Sequence, residues 1–438
     1  MKSLDTSRAD AEQISNSLEA ARSLVLAEQV VQAELLLRQA AIRHKTSVEP
    51  LLMLADLARE REDLSAASRW LAQAHMVRPQ DLELSFEAAG SSLDADEPMQ
   101  AQKIMRAVLA REPRFAPGWL MLAEALSAVG EERQALKARF QAVFRAQSAG
   151  LWTDQSTTPA EILPAVVRAI GEVREARRQV LQESFGDLRR DHGSELDRVS
   201  LAVRGYLGEI DLRSPDTRQR PKFLYFPDLP IGPYHDPFLQ PWATRLRDAF
   251  PEIRKEAQRL LESGHPLEDF MGFKPGDDRE KYVGGTGHAA AWDAFFFYRK
   301  GRRFDDNHNL APSTSAVLEG IDLCRIKRQT PEVCFSVMTP GTHIKAHYGV
   351  TNTRLVVHLP LIIPRDCALN IVGVGAHHWV EGELMMFDDT FEHEAWNRSD
   401  QSRVILLMDA WNPLLTPIER QAVHQVVEAI DDFERFEL

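Results

Sequence analysis

Cysteine is scarce: Cys324, Cys334 and Cys367 are the three in 438 residues. No zinc spacing or disulfide framework can be built from that set, so free thiols in a reducing compartment are expected. Long apolar runs are lacking too. No window reaches the roughly 18 apolar residues that span a bilayer. The opening MKSLDTSRADAEQ has no apolar stretch of the kind a secretory leader carries. A cytoplasmic protein without membrane contact is expected. Basic excess is missing as well. The formal net charge is -13, and no basic patch is interleaved with aromatics, which disfavours nucleic acid as a partner.

What is present reads as globular. Hydrophobic residues make up 44% and charged residues 27%, which excludes a disordered chain, and the length suggests two or three domains. The first third is rich in alanine and leucine at helical spacing, and it repeats. Ala33, Ala67, Ala101 and Ala135 are each 34 apart, as are Ala21, Ala55, Ala89 and Ala123. Ala40, Ala74 and Ala142 hold a third phase, with Val108 between them. Pro79 and Pro113 fall 34 apart, each where a helix should stop. Small residues at fixed phase let paired helices approach closely. Residues 16–148 resemble a tetratricopeptide-repeat solenoid, with three clear units and a degenerate first one. Such an array either supports its neighbour or binds a peptide or protein in its concave face.

Residues 149–220 read as a helical connector. AGLWTDQST is a break, Thr158-Pro159 opens a helix, and charge-laced helix runs to about Gly205. Glycine, proline and aromatics rise near Arg220, and one amphipathic helix follows over 241–263. After it come short strands: VCFSVM, TRLVVHLPLIIP, ALNIVGV, ELMMFDD and RVILLMDAW, separated by turn signals such as PGT, RDC and EGE. Several in succession suggest a sandwich or barrel. The chain ends in an amphipathic helix with Thr416 as N-cap and Pro417 in its first turn.

Side chains alternate between the faces of a strand. Arg354, Val356 and His358 therefore share one face, and Leu355, Val357 and Leu359 the other. Arg403, Ile405, Leu407 and Asp409 share a face of the last strand. His347 precedes the first of these strands, and His393 lies ten residues before Arg403. Either histidine alone reads more simply as a turn or core residue. Together with Arg403 and His358 they match the spacing of double-stranded β-helix oxygenases. His347 and His393 are thus candidate iron ligands, because neutral imidazoles suit Fe(II).

Three segments carry a more specific resemblance: FSVMTPGTHIKAHYGVTNTRLVVHLPLIIP, WVEGELMMFDDTFEHEAWN and RVILLMDAWNPLLTPIER. Looser matches are KFLYFPDLP and WDAFFFYRKG. This half resembles the aspartyl/asparaginyl β-hydroxylase family of 2-oxoglutarate-dependent oxygenases. The implied fold class is α + β multidomain. The α-solenoid would be followed over 221–438 by a double-stranded β-helix (jelly-roll, cupin-like) domain with flanking helices. The resemblance implies that His347 and His393 bind Fe(II), with Gly349 standing where other iron oxygenases have a metal-binding carboxylate. It implies that Ser336, His358 and Arg403 hold 2-oxoglutarate, since an arginine pairs a carboxylate in bidentate fashion. It implies dioxygen as co-substrate and hydroxylation of an Asp or Asn β-carbon in a peptide or protein docked by the repeats. The family often has arginine two residues before the histidine matched by His358. Here that residue is Val356, and Arg354 on the same face is the candidate substrate-binding replacement.

Other readings stay open. HIKAH has the spacing of a helical metal pair, but Pro340-Gly341 before it and strand after it argue against helix, so His343 is a weak candidate. His377 and His378 read as solvent-facing. Asp388 and Asp389 either orient an imidazole or cap a turn. Rival functions are hydroxylation of a free amino acid or lipid-linked acyl chain, and a non-catalytic repeat-based interaction module.

Overall fold

The computed structural model describes residues 2–273, 277–285 and 290–436. The chain divides into two compact units. One runs to Arg177 and takes in the segment from Asp432; the other is Arg178–Asp431.

The first unit is helical. Helices Lys2–Leu26, Val30–Arg43, Glu49–Glu60, Leu64–Val77, Leu82–Asp94, Pro98–Arg111, Ala116–Ala128 and Glu132–Ser148 follow one another through short turns. The phased alanines are the contact points. Ala33, Ala67, Ala101 and Ala135 are each 0% exposed, and so are Ala21, Ala55, Ala89 and Ala123. Aspartates start two helices: Asp63 accepts from the Ala66 amide and Asp81 from the Leu84 amide. Pro79 and Pro113 each follow a helix end, as proline's missing N–H requires.

In the second unit the expected long helix is broken. Leu163–Ser184 reaches into it and is followed by Gly186–His192, a 3-10 turn Gly193–Leu196, and Asp197–Tyr206. Gly193 sits at φ 52°, a left-handed conformation that interrupts a helix and suits glycine. The helix expected over 241–263 is likewise two, Ala243–Asp248 and Phe250–Glu262, the second opening with Pro251 in its first turn.

Two antiparallel sheets form the rest. The larger has the order Tyr234–His235, Met385–Phe387, Arg354–Ile362, Arg403–Trp411, Val333–Met338, Trp292–Arg299, Glu268–Asp269, with Arg302–Arg303 paired to Trp292–Arg299. The smaller has the order Gly375–His377, Cys367–Ile371, His393–Asn397, Thr342–His347, Val283–Gly285. The outer face of the larger sheet uses Leu355, Val357, Leu359 and Leu406 to cover Leu246, Ile253 and Leu260 of the two helices. Its inner face packs Phe296, Val356, Phe387 and Ile405 against Ile344, Leu369 and Ile371 of the smaller sheet. The alternation read along TRLVVHLPL therefore holds, with odd positions outward and even positions inward.

The closing helix starts at Pro417, where the Thr416 hydroxyl accepts from the Glu419 amide and the Glu419 carboxylate accepts from the Thr416 amide. That reciprocal pair is a capping box. All three cysteines are buried and free. No helix among the described residues is long and apolar enough to cross a membrane.

Candidate functional site

A cavity of about 180 Å³ lies between the two sheets. His347 ends one strand of the smaller sheet and His393 begins its neighbour, directly opposite in register. Their ring centroids are 4.2 Å apart at an interplanar angle of 53°. Each ring is oriented in the same way. The Nδ1–H of His347 donates to the Lys345 carbonyl at 2.7 Å, and that of His393 to the Phe391 carbonyl at 2.9 Å. With Nδ1 holding the proton, each Nε2 keeps its lone pair. Burial is the first cause that lowers both pKa values, and His393 is pushed down to about 3. Two adjacent neutral imidazoles with matching tautomers have the donor chemistry that suits a divalent transition metal. Among the described residues, no group of three or more His, Cys, Asp or Glu could hold a metal ion, so the protein's own donors here are these two nitrogens.

The imidazoles are oriented by backbone carbonyls and not by the neighbouring aspartates. Asp388 instead accepts from the Thr390 amide and hydroxyl and from the Gln219 side chain, which is turn capping. Asp389 is 7% exposed, lines the cavity, and its Oδ1 has no hydrogen-bond partner. Its position explains Gly349. The Gly349 amide donates to the Asp389 carbonyl at 2.6 Å, and the Asp389 carboxyl group fills the space that a side chain at 349 would need.

Beyond the histidines the cavity continues to Arg403, which is 2% exposed. Its Nη1 donates to the carbonyl and hydroxyl of Ser336 at 3.3 Å each, its Nε has no partner, and its guanidinium carbon stands 4.9 Å from the Trp379 ring. No carboxylate among the described residues pairs with it, and burial pulls its pKa down to about 10. Ser336 also accepts from the Trp292 indole at 2.9 Å. The Trp379 indole donates to His358 Nδ1 at 3.2 Å. That bond puts the His358 proton on Nε2, so the ring is a neutral donor. Burial first, then Arg403, holds the His358 pKa well below its usual value.

The other end of the cavity carries a different charge pattern. Arg354 Nη1 donates to Asp409 Oδ1 at 2.6 Å, and its Nη2 lies 3.5 Å from Asp389 Oδ2. Val356 faces inward where the resembled family often has arginine. Glu332 also lines this end. Burial pushes both Glu332 and Asp389 up to about 7.

His347, His358, His393, Ser336, Arg354 and Arg403, the six site residues expected from the sequence, all line this one cavity. Three others lie apart. His343 pairs with Glu394 at 2.8 Å on a half-exposed side chain, and His377 and His378 are exposed. Trp292, Trp379 and Glu332 were not singled out. Asp409 was placed on the inward face, but its pairing with Arg354 depends on strand register, which no local pattern reveals.

Residues 247–413 match the family model described as aspartyl/asparaginyl beta-hydroxylase. Aspartyl/asparaginyl beta-hydroxylase of Homo sapiens is 32% identical over 191 residues, 42% of this chain and 24% of that protein. The ornithine lipid ester-linked acyl 2-hydroxylase of Rhizobium tropici is 32% identical over 196 residues, 44% of this chain and 66% of that protein. Aspartate beta-hydroxylase domain-containing protein 2 of Mus musculus is 32% identical over 216 residues, 48% and 60% of the two chains. The chain therefore spans between a quarter and two thirds of the length of these relatives.

Proposed function

Residues 247–413 form a domain of the aspartyl/asparaginyl β-hydroxylase family, and from that premise we propose that the protein is an Fe(II)- and 2-oxoglutarate-dependent hydroxylase of an unactivated C–H bond. We read the paired sheets as a double-stranded β-helix. His347 and His393 hold the metal through Nε2. Arg403 receives the distal carboxylate of 2-oxoglutarate, with the Ser336 hydroxyl and the His358 Nε2–H as further donors. Iron supplies the activation of dioxygen, and the balanced reaction is C–H plus O₂ plus 2-oxoglutarate giving C–OH, succinate and carbon dioxide.

The observation that carries this reading is the contrast around Arg403. A guanidinium 2% exposed, without a carboxylate, is costly unless a ligand completes the pair. A dicarboxylate anchored there extends its other end along the cavity that the two imidazoles line. Trp292 and Trp379 fix the partners of that guanidinium, and the apolar lining excludes water around the reacting carbon. The relatives' names give two substrate classes, aspartyl or asparaginyl residues and the acyl chain of an ornithine lipid, and the helical repeats favour a residue of a docked peptide or protein, whose side-chain chemistry the cavity itself must select.

The test is anaerobic. Iron binding is titrated with and without 2-oxoglutarate, and succinate is then counted after oxygen is admitted. One iron per chain and iron-dependent succinate are expected, both lost in His393→Ala. Absence of iron binding in the unaltered protein would overturn the reading.

A further inference from the structure

The cavity is lined by two guanidinium groups in opposite circumstances, Arg403 buried and Arg354 half-buried. Arg403 has no carboxylate partner. Arg354 already has two, Asp409 at 2.6 Å and Asp389 at 3.5 Å. Val356 stands opposite Asp409 on the next strand and offers only a hydrocarbon surface. Glu332 adds a third carboxylate. Its amide donates to Asp409 Oδ2 at 2.9 Å, so the two carboxylates are neighbours. Three atoms in this group are buried without partners: the acceptors Asp389 Oδ1 and Glu332 Oε2, and the donor Arg354 Nε. Other groups near Glu332 are committed. The Lys300 amide donates to its Oε1 at 3.1 Å, and Arg299 pairs with Glu268 at 3.0 Å.

An incoming carboxylate would meet three carboxyl groups and a guanidinium whose two Nη atoms are already engaged, with the single Arg354 Nε–H left to receive it. A nitrogen cation would supply N–H donors to both orphaned oxygens and balance the excess negative charge. We propose that this end of the cavity, walled by Glu332, Asp389 and Asp409 around Arg354, receives an ammonium or guanidinium group of the substrate beside the carbon to be hydroxylated. Arg354 then acts as a positioning residue that holds Asp409 and Asp389 apart at fixed distances. The proposal rests on the hydroxylase reading for its reacting carbon, but its charge argument is independent of iron.

Capped single-residue amides of lysine, arginine, asparagine and aspartate serve as probes. Binding to the full chain is measured by calorimetry, metal-free and with 2-oxoglutarate present. A basic probe is expected to bind at least ten-fold tighter than the aspartyl and asparaginyl probes. Glu332→Gln keeps the acceptor for the Lys300 amide and is expected to cut that advantage several-fold, and Asp409→Asn is expected to cut it further. Circular dichroism confirms that each variant is folded, and Glu332→Gln decides the matter alone where Asp409→Asn does not fold. An aspartyl or asparaginyl probe that binds as well as a basic one, no binding of any probe, or a basic advantage unchanged by Glu332→Gln overturns the proposal. Succinate formed by the iron-loaded protein without any probe is followed separately. Selective cation binding without succinate defeats the hydroxylase reading alone, and succinate with aspartyl preference defeats this proposal alone.

Discussion

A β-carbon built on Gly349 would fall 2.1 Å from the carboxyl carbon of Asp389. That carboxyl group is held by Arg354 and cannot swing aside cheaply. Residue 349 follows His347 by two, where a third protein ligand would stand in a His-x-Asp iron site. In this chain the place is closed by Asp389. Gly349→Asp is therefore expected to weaken iron binding at least ten-fold instead of strengthening it. Gly349→Ala should destabilise the protein by about 1–3 kcal/mol, the usual cost of overpacking. Asp389→Ala in the same chain should return part of that loss. Urea melts of the four proteins in the cycle measure the coupling. Additive effects would disprove the clash.

Arg403 carries the second prediction. Arg403→Met removes the charge and the fork and is expected to weaken 2-oxoglutarate binding by roughly 150- to 5,000-fold, in line with about 3–5 kcal/mol for breaking a buried charge pair. Arg403→Lys restores the charge without the bidentate geometry and should recover only part. Both are read by calorimetry on the anaerobic iron complex. Iron affinity without 2-oxoglutarate should stay within a few-fold of normal, since Arg403 touches Ser336 and Trp379 and neither histidine.

Much of this arrangement is legible in the sequence where one face of an element is buried and the other is not. The phased alanines predicted the helix contacts because only small residues fit there. The sequence bounds Val333–Met338 and Arg403–Trp411 to the residue, since each is an unbroken run rich in aliphatic residues. Trp292–Arg299 was matched to a family segment but not recognised as a strand. Its residues Ala294 to Tyr298 are all buried, so no polar alternation marks it. His393 heads a strand three residues after a turn, and its direct pairing with His347 is not visible in any local pattern. The tryptophans that fix Ser336 and His358 lie 44 and 21 positions from their partners, Trp292 on a paired strand and Trp379 on a loop, so their roles depend on tertiary placement.

The helical unit offers a test independent of the cavity. Ala101 is 0% exposed at a helix contact, while Met99, two residues earlier, is 64% exposed. Ala101→Leu forces a larger side chain into a closed contact and should cost about 1–3 kcal/mol. Met99→Ala should stay within about 0.5 kcal/mol. Chemical denaturation followed by helical circular dichroism separates the two. Equal effects would show that the 34-residue alanine phase does not mark the packing seam.

Glu332 gives a pH dependence whose sign is fixed by its surroundings. Burial first, and then the like charge of Asp409, raises its pKa from 4.5 to about 7 in the folded protein. Below the unfolded value both states hold the proton, and the folded protein has the full stability this group allows. Between 4.5 and about 7 the unfolded chain releases the proton while the folded chain keeps it, so stability falls as pH rises. Above the folded value the loss is complete. Glu332→Gln never ionises and escapes it. The variant should match the unaltered protein near pH 4 and exceed it near pH 8 by on the order of 2 kcal/mol, after allowance for the partial exposure of the carboxylate. Urea melts of the metal-free proteins at the two pH values measure the difference. Parallel stability curves for the two proteins would mean that Glu332 ionises normally in the fold, and that the negative wall of the cavity is better solvated than its burial implies.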